Sequence, residues 1–157
     1  MPSPAVHIRS VTPSDEVSWR ELWAAYLAFY EAALPQETTD SAWERIIGGN
    51  LAMGGIVAED SATKAILGIA NFVLHPFTWS PFPACLLHDL YVAPAARSQG
   101  VGRALIQHLI DRAQAENWAR VYWVTKEDNA TARTLYDRFT PADGFIRYLL
   151  HSCINTD

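Results

Sequence analysis

The chain has 157 residues, half of them apolar, 18% charged, with a formal net charge of −5. A domain of that length hides roughly 70% of its unfolded surface, so global disorder is excluded. No apolar run nears the ~18 residues of a membrane span, and "MPSPAVHIRS" lacks a signal-peptide pattern, so the protein is expected in the cytoplasm without a membrane partner.

The first strand is expected at "AVHIRSV", where apolar and polar residues alternate. Thr12-Pro13 then starts a helix that places Trp19, Leu22, Trp23, Tyr26, Leu27 and Tyr30 at three-and-four spacing and runs until Pro35. "TTDSAWERIIGG" predicts a shorter helix closed by Gly48-Gly49. Strands follow at "GIVAED", "AILGIANFVLHPF" and "ACLLHDLYV", separated by the turn "SATK" and the proline-rich "TWSPFP". "GVGRALIQHLIDRAQAEN" is helical, with Val101, Leu105, Leu109 and Ala113 on one stripe. "ARVYWVT" reads as a strand, "NATARTLYDRFT" as a helix, and "GFIRYLLH" as a closing strand. With no repeat or linker, the β-α-α-β-β-β-α-β-α-β order predicts one α/β domain around a mixed sheet.

Charge divides the chain. Residues 1–96 hold four basic against ten acidic side chains, net −6, and residues 97–157 hold eight against seven, net +1. A nucleic-acid partner would call for a basic stripe that is absent; an acidic half beside an arginine-bearing half suits a cationic substrate meeting an anionic cofactor. Cys85 and Cys153 fit neither a disulfide framework nor a metal pattern, so both read as plain thiols and no metal is expected.

The most informative stretch is "ARSQGVGRAL", in which Gly100 and Gly102 sit between a strand and a helix with arginines on both sides. The start of a helix exposes unpaired N–H groups and a partial positive charge, and glycine lets an anion approach the backbone. A dinucleotide fingerprint fails because its third glycine would be Leu105, and a phosphate loop fails for want of its spacing and its Lys-Ser/Thr pair.

What remains, Arg97-x-x-Gly100-x-Gly102, resembles the acetyl-CoA signature of the GNAT N-acetyltransferase superfamily, preceded by "LHDLYVAP" as its approach strand. A second segment, "EDNATARTLYDRF", resembles the family's later helix, with Asn129 at its start and Tyr136 within it. The similarity is strongest over residues 84–146, and the whole element order follows the family, looking most like the small polyamine- and histone-type branch. The resemblance implies a single GNAT domain over residues 1–157, with a mostly antiparallel mixed sheet flanked by helices. It implies direct transfer of acetyl from acetyl-CoA to a primary amine, polyamine-like or lysine-like, in a ternary complex.

The resemblance also implies roles. The backbone of Leu90, Tyr91 and Val92 would pair with the pantetheine amides, while Gln99, Gly100, Val101, Gly102, Arg103 and Ala104 would hold the pyrophosphate, with charge added by Arg97 and Arg103. Asn129 would meet pantetheine, and Tyr136 would protonate the leaving thiolate. An alkyl amine of pKa ~10.4 lies about 3.4 units from its neutral form at pH 7, roughly 4.6 kcal/mol, so a base must take its proton. Where the polyamine-type members carry a Glu-Asp pair in that strand, this chain has His88-Asp89; a histidine titrating near pH ~6.5 can accept a proton, and strand parity puts His88 and Asp89 on opposite faces unless a bulge intervenes. Tyr30 and Trp79 are candidate acceptor contacts in an aromatic cleft. "GFIRYLLHSC" has the character of a sheet edge that a homodimer would cover. A non-catalytic acyl-CoA sensor of the same fold and a nucleotide-binding module are the competing readings.

Overall fold

Among the described residues, nine helices and strands follow the expected order. The computed structural model describes residues 5–49 and 52–152. It gathers the chain into two compact units, Met1–Val124 and Thr125–Asp157.

In the first unit, β1 (Val6–Ser10) leads through a 3-10 turn at Pro13–Asp15 into α1 (Glu16–Phe29). The helix stops well before Pro35. Ala32 N–H bonds to Leu27 C=O (2.9 Å) and Glu31 N–H to Ala28 C=O (3.1 Å), with Glu31 left-handed at φ 53. This Schellman closure satisfies the last carbonyls without a glycine. Pro35 instead opens α2 (Gln36–Gly48), which ends on left-handed Gly49. A four-stranded antiparallel meander is completed by β2 (Met53–Asp60), β3 (Ile66–His75) and β4 (Ala84–Val92). β4 is bounded by Pro83 and Pro94, which cannot donate to a ladder. α3 (Val101–Ala115) crosses over to β5 (Arg120–Tyr122), which adds parallel to β4, giving a sheet in the order β1-β2-β3-β4-β5. The sheet is thus mixed and mostly antiparallel, with helices on both faces, as expected.

The two faces bury different residue types. On one, α1 and α2 pack Trp19, Trp23, Trp43 and Ile46 against Val57, Ile69 and Tyr91. On the other, α3 buries Val101, Leu105, Ile106 and Leu109. α3 approaches so closely at Gly68 that a Cβ there would stand 3.0 Å from Tyr91 O and 3.2 Å from Val101 Cγ1. Trp19 and Trp23 are therefore core side chains, and the aromatic face of α1 serves mainly packing.

An ion-pair knot ties β1 to the start of α1. Arg9 forks onto Asp15 (Nη1–Oδ2 2.8 Å, Nη2–Oδ1 2.9 Å) and reaches Glu59 Oε2 at 2.8 Å. The hydrogen bond from Arg9, then that from Thr12 N–H, hold the buried Asp15 carboxyl down to about 2 from its ordinary 3.8, against the opposing cost of burial. A carboxyl depressed on folding contributes stability above its unfolded pKa and loses it as pH falls through the folded one, here between about pH 4 and pH 2. Asp15→Asn is expected to cost about 2 kcal/mol at pH 7, with a gap from the parent that narrows as the pH of urea titrations is lowered through that window.

The described part of the second unit holds α4 (Ala130–Tyr136) and no strand. The expected closing strand at residues 144–151 is the main correction: the segment is irregular, and Phe145, Ile146, Tyr148, Leu149 and Leu150 are 64–93% exposed. A strand exists only through its ladder, and among the described residues no strand of this chain supplies one to this segment. Cys153 lies outside the described residues. Cys85 is buried in β4, where desolvation pushes its thiol up to about 12, consistent with an inert core side chain. No helix among the described residues is long and apolar enough to cross a membrane.

Candidate active site and coenzyme cradle

The site begins where β4 loses a neighbour. β3 accompanies β4 along its full length, but β5 pairs with it only at Ala84, Cys85 and Leu86. Beyond Leu86 the other edge of β4 has no strand beside it among the described residues, and Leu90, Tyr91 and Val92 lie on that open edge. Extended backbone with a free edge pairs with an added strand or with any ligand bearing amides at similar spacing.

The chain then turns sharply. After a 3-10 turn at Pro94–Ala96, Ser98 (φ 60) and Gly100 (φ 82, ψ 5) are both left-handed, and Gly100 caps α3. The backbone dihedral selects glycine here, since a Cβ at Gly100 would meet no atom within 4 Å. No side chain caps the helix, and the first helical bond runs from Ala104 N–H to Gly100 C=O (2.9 Å). The amides of Val101, Gly102 and Arg103 thus precede the ladder and point out of a 15-residue helix at its positive end. Open strand edge, left-handed glycine and uncapped helix start follow one another, which fits an elongated ligand that is amide-bearing at one end and phosphorylated at the other.

Flanking side chains are exposed but partly committed. Arg97 donates from Nε to Val92 O (3.1 Å) and lies over the Tyr91 ring at 5.3 Å. Gln99 folds back onto Ala95 O (3.0 Å). From Tyr91 an aromatic row continues to Tyr26 (6.3 Å between centroids) and on to Tyr30 (5.0 Å), so Tyr30 is linked to the cradle through packing. Trp79 is not: it sits 84% exposed in the β3–β4 connection, at the opposite end of β4. That end also carries a cavity of about 550 Å³ lined by residues including Leu74, His75, Phe77 and Phe82.

Midway along β4 lies a bulge. Asn71 faces Asp89 while Phe72 faces Leu87, so His88 is the extra residue. The bulge resolves the parity question: Leu87 follows Phe72 to the α3 face, Asp89 follows Asn71 to the α1 face, and His88 is left projecting, 61% exposed. His88 Nδ1 lies 3.2 Å from Asp89 Oδ1, so the two side chains meet despite being neighbours on a strand. The sequence gives little sign of Asn71, whose only signal is an amide within the apolar run "GIANFVL".

In the second unit, Asn129 caps α4, its Oδ1 accepting from Ala132 N–H (3.3 Å) and its Nδ2 donating to Thr125 Oγ1 (3.4 Å). Tyr136 is the last residue of that helix and is half-buried.

Comparison with known proteins agrees with this architecture. The profile of the acetyltransferase (GNAT) family matches residues 19–140. The D-amino-acid N-acetyltransferase HPA3 of Saccharomyces cerevisiae is 33% identical over 131 residues, 83% of this chain and 81% of that protein. The [ribosomal protein bS18]-alanine N-acetyltransferase of Escherichia coli K12 is 29% identical over 94 residues, 60% of this chain and 53% of that protein. The fold of AAC(6')-Iy, solved with the bisubstrate analogue CoA-S-monomethyl-acetylneamine, superposes with a TM-score of 0.80 at 16% identity, covering 95% of this chain and 99% of that one. With the family profile spanning most of its length and a yeast relative a third identical, this chain belongs to the GNAT family and is an N-acetyltransferase, in a family whose acetyl donor is acetyl-CoA.

Proposed function

We propose that the protein acetylates a primary amine directly, with acceptor and acetyl-CoA bound together. The observation that carries the reading is the placement of the His88 bulge on β4, between the strand's paired end and the open edge that leads into the uncapped start of α3. In this reading the backbone of Leu90, Tyr91 and Val92 bonds the pantetheine amides. The N–H groups of residues 99–103 receive the diphosphate, Ala104 N–H being bonded instead to Gly100 C=O, with Arg97 and Arg103 adding positive charge, and Asn129 contributes a pantetheine contact beyond its capping role. Acetyl-CoA supplies an activated acyl carbon.

His88 takes a proton from the acceptor ammonium, with Asp89 orienting its ring. The amine nitrogen bonds to the acetyl carbon as the C–S bond breaks, and Tyr136 delivers a proton to the departing sulfur. The nitrogen gives up its second proton through water as it becomes an amide, which restores the Tyr136 phenol while His88 returns its proton to solvent. The products are an N-acetylamine and CoA thiol. The acidic balance of residues 1–96 favours a cationic acceptor, polyamine-like or lysine-like, and Tyr30, at the end of the aromatic row, offers a ring to such a cation. Trp79 would contact the acceptor only if the acceptor extends along β4 to the hairpin. A second acceptor class, the α-amine of a free amino acid, is favoured by the yeast relative's activity on D-amino acids. The exposed apolar side chains of residues 145–150 support a homodimer in which a second copy removes them from water.

Thiol release from acetyl-CoA measured across polyamines, a lysine peptide, D-amino acids and an N-terminal alanine peptide tests this reading. Turnover with the cationic amines is expected to exceed that with the others. Turnover confined to D-amino acids moves the assignment to the second class, and no release with any primary amine overturns both. The same preparation sedimenting as a monomer would remove the dimer.

A further inference from the structure

The bulge is the outer end of a chain of polar side chains that runs into the core. Asp89 Oδ2 accepts from Asn71 Nδ2 at 3.2 Å, and Asn71 Oδ1 accepts from Trp19 Nε1 at 3.1 Å. Exposure falls along it, from 61% at His88 to 12% at Asp89, 4% at Asn71 and 1% at Trp19. The inner end is immobilised: Trp19 is stacked on Trp23 (5.3 Å, 12° between planes) and lies against Trp43 at 5.2 Å.

Each bond direction follows from that fixed end. An indole N–H can only donate, so the Asn71 amide presents its oxygen to Trp19 and therefore its NH2 group to Asp89. A carboxylate has no hydrogen to give, so with one Asp89 oxygen receiving Asn71, the other receives a hydrogen from His88 Nδ1. A neutral imidazole protonated at Nδ1 carries its lone pair on Nε2. We propose that Trp19 and Asn71 are positioning residues that, through Asp89, set the tautomer of His88 and make Nε2 the nitrogen that takes the acceptor's proton. The inference rests on the base role proposed above for His88 and specifies which atom performs it. An Asn71 that merely satisfied the buried indole would affect stability and leave the imidazole of His88 unchanged.

Imidazole 15N spectra of the full-length protein, followed with rising pH until the His88 signals stop moving, read the tautomer of the neutral ring without substrate; His88→Gln assigns the resonances. The wild type is expected to show protonated Nδ1 and bare Nε2 at His88. Asn71→Leu, close in volume, is expected to abolish that preference and lower kcat about tenfold, a fraction of what a full acid–base contribution supplies, with the KM for acetyl-CoA changed less than about twofold. In a His88→Ala background the same substitution is expected to have no further effect on kcat. Trp19→Phe, which keeps a ring in the cluster, is expected to act in the same direction more weakly, and it carries the test if Asn71→Leu does not fold. A wild-type spectrum with Nε2 protonated overturns the relay, as does a folded Asn71→Leu that retains the wild-type tautomer. A loss of kcat that is as large without His88 as with it shows that Asn71 does not act through the imidazole. Full turnover by His88→Ala overturns the base role even where the spectra show the tautomer as assigned, so the two failures are distinguishable.

Discussion

Gly100→Asp is expected to raise the KM for acetyl-CoA by about 100-fold or more while lowering the melting temperature by only a few degrees. The residue sits at φ 82, ψ 5, a conformation that Asp and Asn enter more readily than other side chains, at a cost of roughly 1–2 kcal/mol. A Cβ there meets nothing within 4 Å, so the strain is conformational and the fold survives it. The new carboxylate stands beside the amides of Val101, Gly102 and Arg103, where the proposed reading places a diphosphate. Two like charges about 5 Å apart at an effective dielectric of ~20 repel by roughly 3 kcal/mol, which converts to a factor of about 100 in affinity. Gly100→Asn supplies the control: it shares the backbone conformation and side-chain size without the charge, so its KM is expected to rise far less. Equal KM values for the Asp and Asn variants would mean that no anion occupies the helix start. The assay is initial rates against acetyl-CoA at fixed amine, paired with calorimetric titration of CoA.

How much of this site was readable beforehand depends on whether the information is local. β4 is legible over all nine residues because prolines flank a nearly continuous apolar run. The glycine turn was legible for a similar reason: a left-handed cap is a demand on one residue, and Gly100 meets it. The His88 bulge was not legible, because a bulge is a mismatch between two strands, and nothing in "LLHDLYV" announces that Asn71 and Phe72 will face Asp89 and Leu87. Asn71 and Trp19 are 52 residues apart, and each alone reads as an ordinary strand amide and an ordinary core indole. The aromatic stripe of α1 shows the limit of periodicity, which marks a buried face without saying whether a core or a ligand buries it. Trp19 and Trp23 went to the core; only Tyr26 and Tyr30 extend toward the cradle through Tyr91. Arg97 likewise spends its Nε on Val92 O, a contact that favours positioning the turn as much as supplying charge. The absent closing strand has a thermodynamic origin, because the apolar and aromatic character of residues 144–151 records a tendency that only a neighbouring strand can satisfy.

Tyr136→Phe is expected to lower kcat by about 100-fold with the KM for acetyl-CoA within about threefold of the parent. The substitution keeps the ring at the end of α4 and leaves the Asn129 cap intact, so removal of the hydroxyl should cost about 1 kcal/mol of stability. The kinetic effect is argued from the leaving group. A thiol of ordinary pKa near 8.5 departs as thiolate more easily than an alkoxide would, so proton delivery to sulfur is worth the lower end of the 10²–10⁴ range for positioned general acids, about 10². That loss falls on the chemical step and not on binding, because the hydroxyl's contribution rises only as negative charge develops on sulfur. A thioester whose thiol has a lower pKa needs less help from an acid, so the deficit of Tyr136→Phe relative to the parent is expected to shrink as the leaving thiol becomes more acidic. An unchanged kcat would exclude the acid role. A raised KM at full kcat would make Tyr136 a binding group, and a deficit independent of the thiol would leave its hydroxyl acting on the acceptor side of the reaction, in competition with the role assigned to His88.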